Sequence, residues 1–222
     1  MTEIASASPR GAPLPHAGSR VRGLYAVTPD ERDTSALLAK VRSCLRGGAQ
    51  LVQYRNKSAS AALRREQAAA LLALCREAGA PLIVNDDLEL AVALDADGVH
   101  LGGDDADLAH ARARLAPGSI LGASCYDRLE AARSAVELGA DYVAFGAAYP
   151  TAIKPGAPRA SLALYAQAKA ALVVPVVAIG GITPENAVPL RRAGVDAVAV
   201  ISAVFGARDI ESRAREFAQV FR

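Results

Sequence analysis

Short apolar runs and longer mixed segments alternate along the chain with a regular period. The runs are Gly23–Val27, Gln50–Tyr54, Pro81–Asn85, Gly98–Leu101, Ile120–Ser124, Tyr142–Gly146, Val176–Gly180 and Ala197–Ile201. None alternates apolar with polar positions along its length, so each predicts a strand buried on both faces. Between the runs, apolar residues fall near helical spacing, as at Leu63, Leu71 and Leu74 within Ser60–Ala78. Arg128–Leu138 and Pro184–Ala193 predict helices in the same way. Gly47, Gly79, Gly139 and Gly194 each stand just past a helical pattern, where a left-handed residue closes a helix. Near-identical endings recur, in REAGAPLIV, VELGADYVAF and RRAGVDAVAV, each a helix, a glycine stop and the next strand.

Eight such strands over residues 21–222 leave about 25 residues per unit. That spacing predicts a single-domain α/β fold, a (β/α)8 TIM barrel close to the lower size limit of that architecture. A doubly wound open sheet would have fewer strands and a glycine-rich turn after the first. Here the first strand runs into TPDERD, which makes no such turn.

Composition narrows the reading. The chain is 52% hydrophobic but only 5% aromatic with no Trp, which predicts an aliphatic core and argues against an all-β sandwich or a disordered chain. Twenty-five Lys and Arg against 23 Asp and Glu give +2, so no strong overall field draws nucleic acid or a membrane. The longest uncharged apolar stretch, Ala170–Ile182, is broken by Pro175 and two glycines and is too short to span a bilayer. Residues 1–20, rich in Ser, Pro, Gly and Ala, lack a secretory pattern and read as a flexible extension. Cys44, Cys75 and Cys125 have no metal-ligand spacing and are odd in number, which points to a reducing cytoplasm.

In a barrel of this kind the site lies at the C-terminal ends of the strands. Those ends carry QYRNK, NDD, GGDDAD, Ser124, YPTAIKPG, GGITPEN and ISA, whereas the opposite ends read as lacking such groups. Gly180, Gly181, Ile182, Thr183 and Pro184 combine two glycines, a cap-like Thr and a Pro suited to the first helical position. With Ile201–Ser202–Ala203 they match the phosphate site of such barrels, built from the loops after strands 7 and 8. Asp86 and Asp105 end neighbouring strands and are candidate ligands of one hard cation such as Mg²⁺. Helix capping competes for the same residues: Asp86 or Asp87 could cap the helix through Leu94, and Asp104 or Asp107 the next one. Arg55, Lys57 and Lys154 gather cationic charge at the same end and suit a diphosphate, while Lys40 and Lys169 read as surface charges on helices. His100 lies inside a strand with no His-x-His partner and reads as a residue of the core or of a supporting layer. No Ser-His-Asp arrangement or dinucleotide fingerprint is present.

Together, QYR-x-K, IVNDD, DGVHLG-x-x-D, LGAS, YPT-x-x-K, AIGGIT and VISA, in this order from Gly23 to Phe221, resemble the thiamine-phosphate synthase family. The resemblance implies condensation of 4-amino-2-methyl-5-pyrimidinylmethyl diphosphate with a thiazole phosphate, releasing pyrophosphate. It implies contacts to the pyrimidine diphosphate from Gln53, Tyr54, Arg55, Asn56, Lys57, Asn85, Ser124 and Lys154. Arg55, Lys57, Ser124 and Lys154 would be catalytic, and Asp86 and Asp105 would hold Mg²⁺. Thr151, Ala152, Ile153, Gly181, Ile201 and Ser202 would hold the thiazole phosphate. Two positions depart from the family pattern: Ile153 replaces a hydroxyl residue, and Gly103 stands where many relatives carry Gln. The implied chemistry is a pyrimidine cation freed by loss of diphosphate, with the Ala147–Ala160 loop closing over it. A thiazole-phosphate-binding barrel acting as a tautomerase or regulator is the alternative. It would share the strand 7–8 anchor without needing the acidic and cationic set. The expected partners are these small molecules, and a homo-oligomer is compatible with the sequence.

Overall fold

The computed structural model describes residues 17–102, 107–151 and 158–222. Eight parallel strands close on themselves in sequence order, each next to its successor and β8 beside β1. The strands are β1 (Gly23–Val27), β2 (Leu51–Tyr54), β3 (Leu82–Asn85), β4 (Gly98–Leu101), β5 (Ile120–Tyr126), β6 (Tyr142–Gly146), β7 (Val176–Ile179) and β8 (Ala197–Val200). Around them run α1 (Thr34–Arg46), α2 (Ala61–Glu77), α3 (Leu88–Leu94), α4 (Leu108–Arg114), α5 (Leu129–Glu137), α6 (Leu162–Ala171), α7 (Pro184–Arg192), α8 (Ser202–Phe205) and α9 (Ile210–Val220). The periodicity thus predicts every strand to within two residues. Strand β5 runs on past Ser124, with a register shift against β6 between Ser124 and Tyr126.

Two apolar layers follow from strands buried on both faces. Tyr25, Leu51, Ile83, Ile120, Tyr142, Val177 and Ala197 fill the barrel interior. Leu24, Val52, Val84, Val99, Leu121, Val143, Ala178 and Val198, one residue along on each strand, pack outward against the helices. Side-chain caps set the helix starts: Asp33, Ser60, Asp87, Asp107, Ser161, Thr183 and Asp209 each accept a first-turn backbone N–H. Each such cap is worth about 1 kcal/mol.

Three expectations need correction. Gly47 is right-handed (φ −72°), and the left-handed residue after α1 is Gly48 (φ +104°); Gly79, Gly139 and Gly194 do take positive φ. The N-terminal ends of the strands are not free of charge. Asp97, Asp141 and Asp196 precede β4, β6 and β8 and accept the N–H of Leu82, Leu121 and Val176 on the preceding strand at 2.8–2.9 Å. Arg20, Arg112 and Lys169 pair with them. These aspartates stitch strand starts together, which explains the acid in the recurring GAD and GVD endings. Last, Ala17–Arg20, within the stretch read as an extension, forms a 3-10 turn packed on the barrel's lower end with Gly18 buried.

Candidate active site

The rim at the strand C-termini is built by short, tightly bonded loops. Thr28, fully buried just past β1, donates its Oγ1 proton to the Arg55 carbonyl (2.9 Å) and accepts from the Arg55 N–H (2.8 Å). Asp30, two residues on, holds the Arg55 guanidinium at 3.0 Å and accepts from the Lys57 N–H at 3.2 Å. The TPDERD segment therefore aims the cationic β2 loop, a role that composition and spacing did not signal.

Asp86 and Asp87 divide two tasks. Asp87 caps α3 through the Leu90 N–H at 3.0 Å, and Asp107 likewise caps α4 through His110. Asp86 takes a left-handed conformation (φ 61°) and donates its N–H to the His100 carbonyl. Non-glycine residues adopt that region at a cost of roughly 1–3 kcal/mol. The turn frees its carboxylate from capping: Oδ2 accepts from Asn85 Nδ2 at 2.7 Å, and Oδ1 lies 3.7 Å from where a Cβ on Gly102 would stand. Ser124 Oγ lies 3.5 Å from that same point. Asn85, Asp86 and Ser124 are thus neighbours around the end of β4.

Two clefts open on the rim. One, of about 420 Å³, is lined by Tyr54–Lys57, Arg64 and residues 84–90. The other, of about 450 Å³, is lined by Pro29, Asp30, Lys40, Arg55, Ile201, Ser202, Phe205 and Gly206. Arg55 lines both, so the two clefts adjoin at this residue. Lys40, read as a surface charge, pairs with Glu31 at 2.7 Å and reaches the second cleft. Arg64, from α2, also lines the first cleft, and its buried Nε has no hydrogen-bond partner among the described residues. In the sequence its helical setting makes it look like an ordinary surface charge.

Other predicted residues serve the scaffold as placed here. The Tyr54 ring is buried against the helical layer with its hydroxyl donating to Gln67 Oε1. Asn56 Nδ2 donates to the Glu31 carbonyl and to Gln67 Oε1. Thr183 and Asn186 form a capping box, so the N–H groups of both residues are already bound at the start of α7. An anion here would draw on the glycine turn rather than on the helix start. Gly181 (φ +63°) is required sterically as well, since a Cβ would stand 2.3 Å from the Pro150 carbonyl oxygen. Thr151 follows that contact, in a loop whose feet are pinned by Ala147 N–H to Pro158 O and Ala160 N–H to Ala147 O. Asp105, Ala152, Ile153 and Lys154, together with Gly103, lie outside the described residues.

Inside the barrel a polar chain runs beneath the rim. Gln53 Nε2 donates to Tyr25 Oη (2.8 Å), which bonds Tyr142 Oη (2.8 Å). Tyr142 Oη bonds His100 Nδ1 (2.8 Å), and His100 Nε2 bonds Ser124 Oγ (2.9 Å). Burial pushes His100 down to about 4, against an opposing pull from the Asp86 charge, so the imidazole is neutral at pH 7. Burial likewise raises both phenols.

Fold and rim define a compact (β/α)8 barrel enzyme with two adjoining clefts bearing cationic groups. A family model described as thiamine monophosphate synthase matches residues 24–204. The chain is 58% identical over 206 residues to the thiamine-phosphate synthase of Methylobacillus flagellatus, covering 93% of this chain and 98% of that one. It is 53% identical over 203 residues to that of Aromatoleum aromaticum, covering 91% and 98%. The solved thiamine phosphate pyrophosphorylase from Pyrococcus furiosus superposes with a TM-score of 0.82 at 37% identity, covering 92% and 96%. This chain belongs to the thiamine monophosphate synthase family and is a transferase of thiamine biosynthesis. Among the described residues no helix is long and apolar enough to cross a membrane.

Proposed function

We propose that the chain joins 4-amino-2-methyl-5-pyrimidinylmethyl diphosphate to a thiazole phosphate, or to its carboxylated form. The products are thiamine phosphate and pyrophosphate, with CO₂ from the carboxylated substrate. The observation that carries this reading is the pair of clefts meeting at Arg55, with Lys57, Asn85 and Asp86 on one side and Ile201 and Ser202 on the other. One condensation needs two phosphorylated substrates side by side, with a cation where their reacting ends meet.

The methylene C–O bond breaks with its electron pair leaving on the diphosphate, while the pyrimidine amino group feeds the emerging cation. The thiazole nitrogen lone pair then forms the new C–N bond. No strong base is needed. Arg55, Lys57 and Lys154 would stabilise the charge growing on the diphosphate, with Asn85 and Ser124 as hydrogen-bonding partners. Gln53 would contact the pyrimidine. Because its Nε2 faces the two buried phenols, the carbonyl oxygen is the group it would turn to a ligand, an acceptor suited to an exocyclic amino group. Thr151, Gly181, Ile201 and Ser202 would anchor the thiazole phosphate. Holding both partners in register can lower such a barrier by roughly 7–11 kcal/mol.

Asp86 fits a role in holding Mg²⁺: it is a hard oxygen donor at a cleft and not consumed by capping, and the segment leading to Asp105 departs from beside it at Gly102. Asp86 and Asp105 would hold the ion, which supplies Lewis-acid neutralisation of diphosphate oxygens when bound. A cytoplasmic location fits three cysteines that are all buried and unpaired. The test mixes both substrates with Mg²⁺ and follows pyrophosphate. Release with both, and with neither alone, is expected; a tautomerase or regulator would release none.

A further inference from the structure

The five-membered chain beneath the rim has a direction, and that direction follows from counting protons. A glutamine amide nitrogen can only donate, so Tyr25 Oη accepts from Gln53. Carried on in that one direction, Tyr25 passes its single proton to Tyr142, whose hydroxyl also lies within reach of the Gln53 amide. Tyr142 must then donate to His100 Nδ1, which is bare. With Nδ1 accepting and therefore bare, the ring proton sits on Nε2 and donates to Ser124 Oγ. Ser124 receives a proton from below and keeps its own for the rim, where Asn85 and Asp86 lie. If the Gln53 amide were turned over, every bond would reverse. Ser124 would then spend its proton on His100 and have none for a ligand.

The scaffold is built around this chain. His100, Gly122 and Tyr142 are level on β4, β5 and β6, paired His100 with Gly122 and Gly122 with Tyr142. A Cβ on Gly122 would stand 2.1 Å from Tyr142 Cζ, so only glycine lets the phenol lean across and stack on the imidazole (centroids 5.5 Å, planes 23° apart). Tyr25 and Tyr142 are fully buried and His100 nearly so. Three polar groups at the centre of an otherwise aliphatic interior are costly unless each bond is made.

We propose that Tyr25, Tyr142 and His100 are positioning residues that fix the Ser124 hydroxyl as a donor toward the diphosphate and, at the other end, fix the Gln53 carbonyl as an acceptor for the pyrimidine. One wire thereby sets the polarity of contacts at both ends of one substrate. The proposal rests on the function given above.

Two measurements test it. In protein carrying His16→Gln and His110→Gln, His100 is the one remaining imidazole, and its ¹⁵N spectrum should show the tautomer protonated at Nε2. Tyr142→Phe, which keeps the ring and its packing, should release that tautomer to a mixture. In steady-state kinetics the same variant should lower kcat about tenfold, the effect of one lost hydrogen bond, with both KM values within about twofold. Added to Ser124→Ala it should lower kcat no further, because the chain acts through that hydroxyl. A purely structural role would lower Tm and leave kcat alone, or its loss would multiply with that of Ser124→Ala; either overturns the proposal. Should Tyr142→Phe not fold, Tyr25→Phe breaks the chain one link earlier and enters the same cycle. A wild-type tautomer protonated at Nδ1 overturns the proposal whatever the enzyme makes. An Nε2 tautomer without pyrophosphate release overturns the functional reading instead.

Discussion

Replacing Thr28 by Val tests whether the loop after β1 aims the Arg55 cation at the rim. Valine matches threonine in shape, so no cavity opens and the packing term is small. What disappears is a reciprocal pair of bonds, Oγ1 to the Arg55 carbonyl at 2.9 Å and Arg55 N–H to Oγ1 at 2.8 Å. Thr28 is fully buried, so water does not readily replace it. Two lost hydrogen bonds cost about 2 kcal/mol, rising to about 4 if both backbone groups stay unpaired. For a chain of this size that is a Tm decrease of roughly 4–16 °C. Thr28→Ser keeps both bonds and loses one methyl, about 1 kcal/mol, so the order of stability should be wild type, Ser, Val. The kinetic effect should be larger than the thermal one implies. Arg55 lines both clefts, and a displacement on the order of 1 Å at such a position can cost about 10²-fold. The assay is pyrophosphate release at saturating substrates alongside thermal unfolding. If Val proved as stable and as active as Ser, the aiming role of Thr28 would be refuted.

Asp86→Ala should leave the barrel folded, since Asp87 keeps the cap of α3, yet reduce turnover on the order of 10²-fold and shift the Mg²⁺ titration to higher concentration. Undiminished turnover would remove Asp86 from the site. Gly181→Ala places a Cβ 2.3 Å from the Pro150 oxygen at φ +63°, so it should cost about 2–4 kcal/mol by thermal unfolding and raise the KM for thiazole phosphate more than that for the diphosphate. An unchanged Tm would contradict the close approach. Below pH 6.5 the unfolded chain protonates His100 while the folded one does not until about pH 4, so the unfolded state binds more protons across that window. Metal-free protein should therefore lose about 1.4 kcal/mol per pH unit from 6.5 down to 4, roughly 3 kcal/mol in all, and no more below it. The comparison is urea unfolding against His100→Gln, in which this component should vanish.

The barrel was legible because its strands are buried on both faces and its helices on one, so two periods alternate without interference. Strand ends were found to within two residues because apolar runs stop where the backbone leaves the barrel wall. Local chemistry was harder to read where two tasks use one residue type. Aspartate occurs as helix cap (Asp87, Asp107), as strand stitch (Asp97, Asp141, Asp196) and as a rim carboxylate held by Asn85 (Asp86). Spacing alone does not separate these, because the difference lies in backbone torsion and in which N–H is near. Gly47 and Gly48 show the same limit: two adjacent glycines offer one left-handed site, and the helix C-cap geometry decides which takes it.

The candidate site divides along the same line. Residues displaying charge at strand ends, such as Arg55, Lys57, Asn85 and Asp86, were legible because polar groups there break an apolar pattern. Thr28, Asp30 and Arg64 were not, since each lies in a loop or helix where polar residues are ordinary. Tyr25 and Tyr142 were hidden for the opposite reason, and of His100 only its place in the core or a supporting layer was legible. In sequence they are single amphipathic residues within strands, each consistent with a core position, and only barrel closure carries the line from β1 through β6 to β4 and β5. Gly122 belongs with them: in LGAS it reads as a small strand residue, while in space it is the gap through which a phenol reaches an imidazole. A rim residue can be inferred from what it breaks in a pattern, whereas a supporting residue has to be inferred from what it touches. The second kind of inference becomes possible only when the sheet has closed.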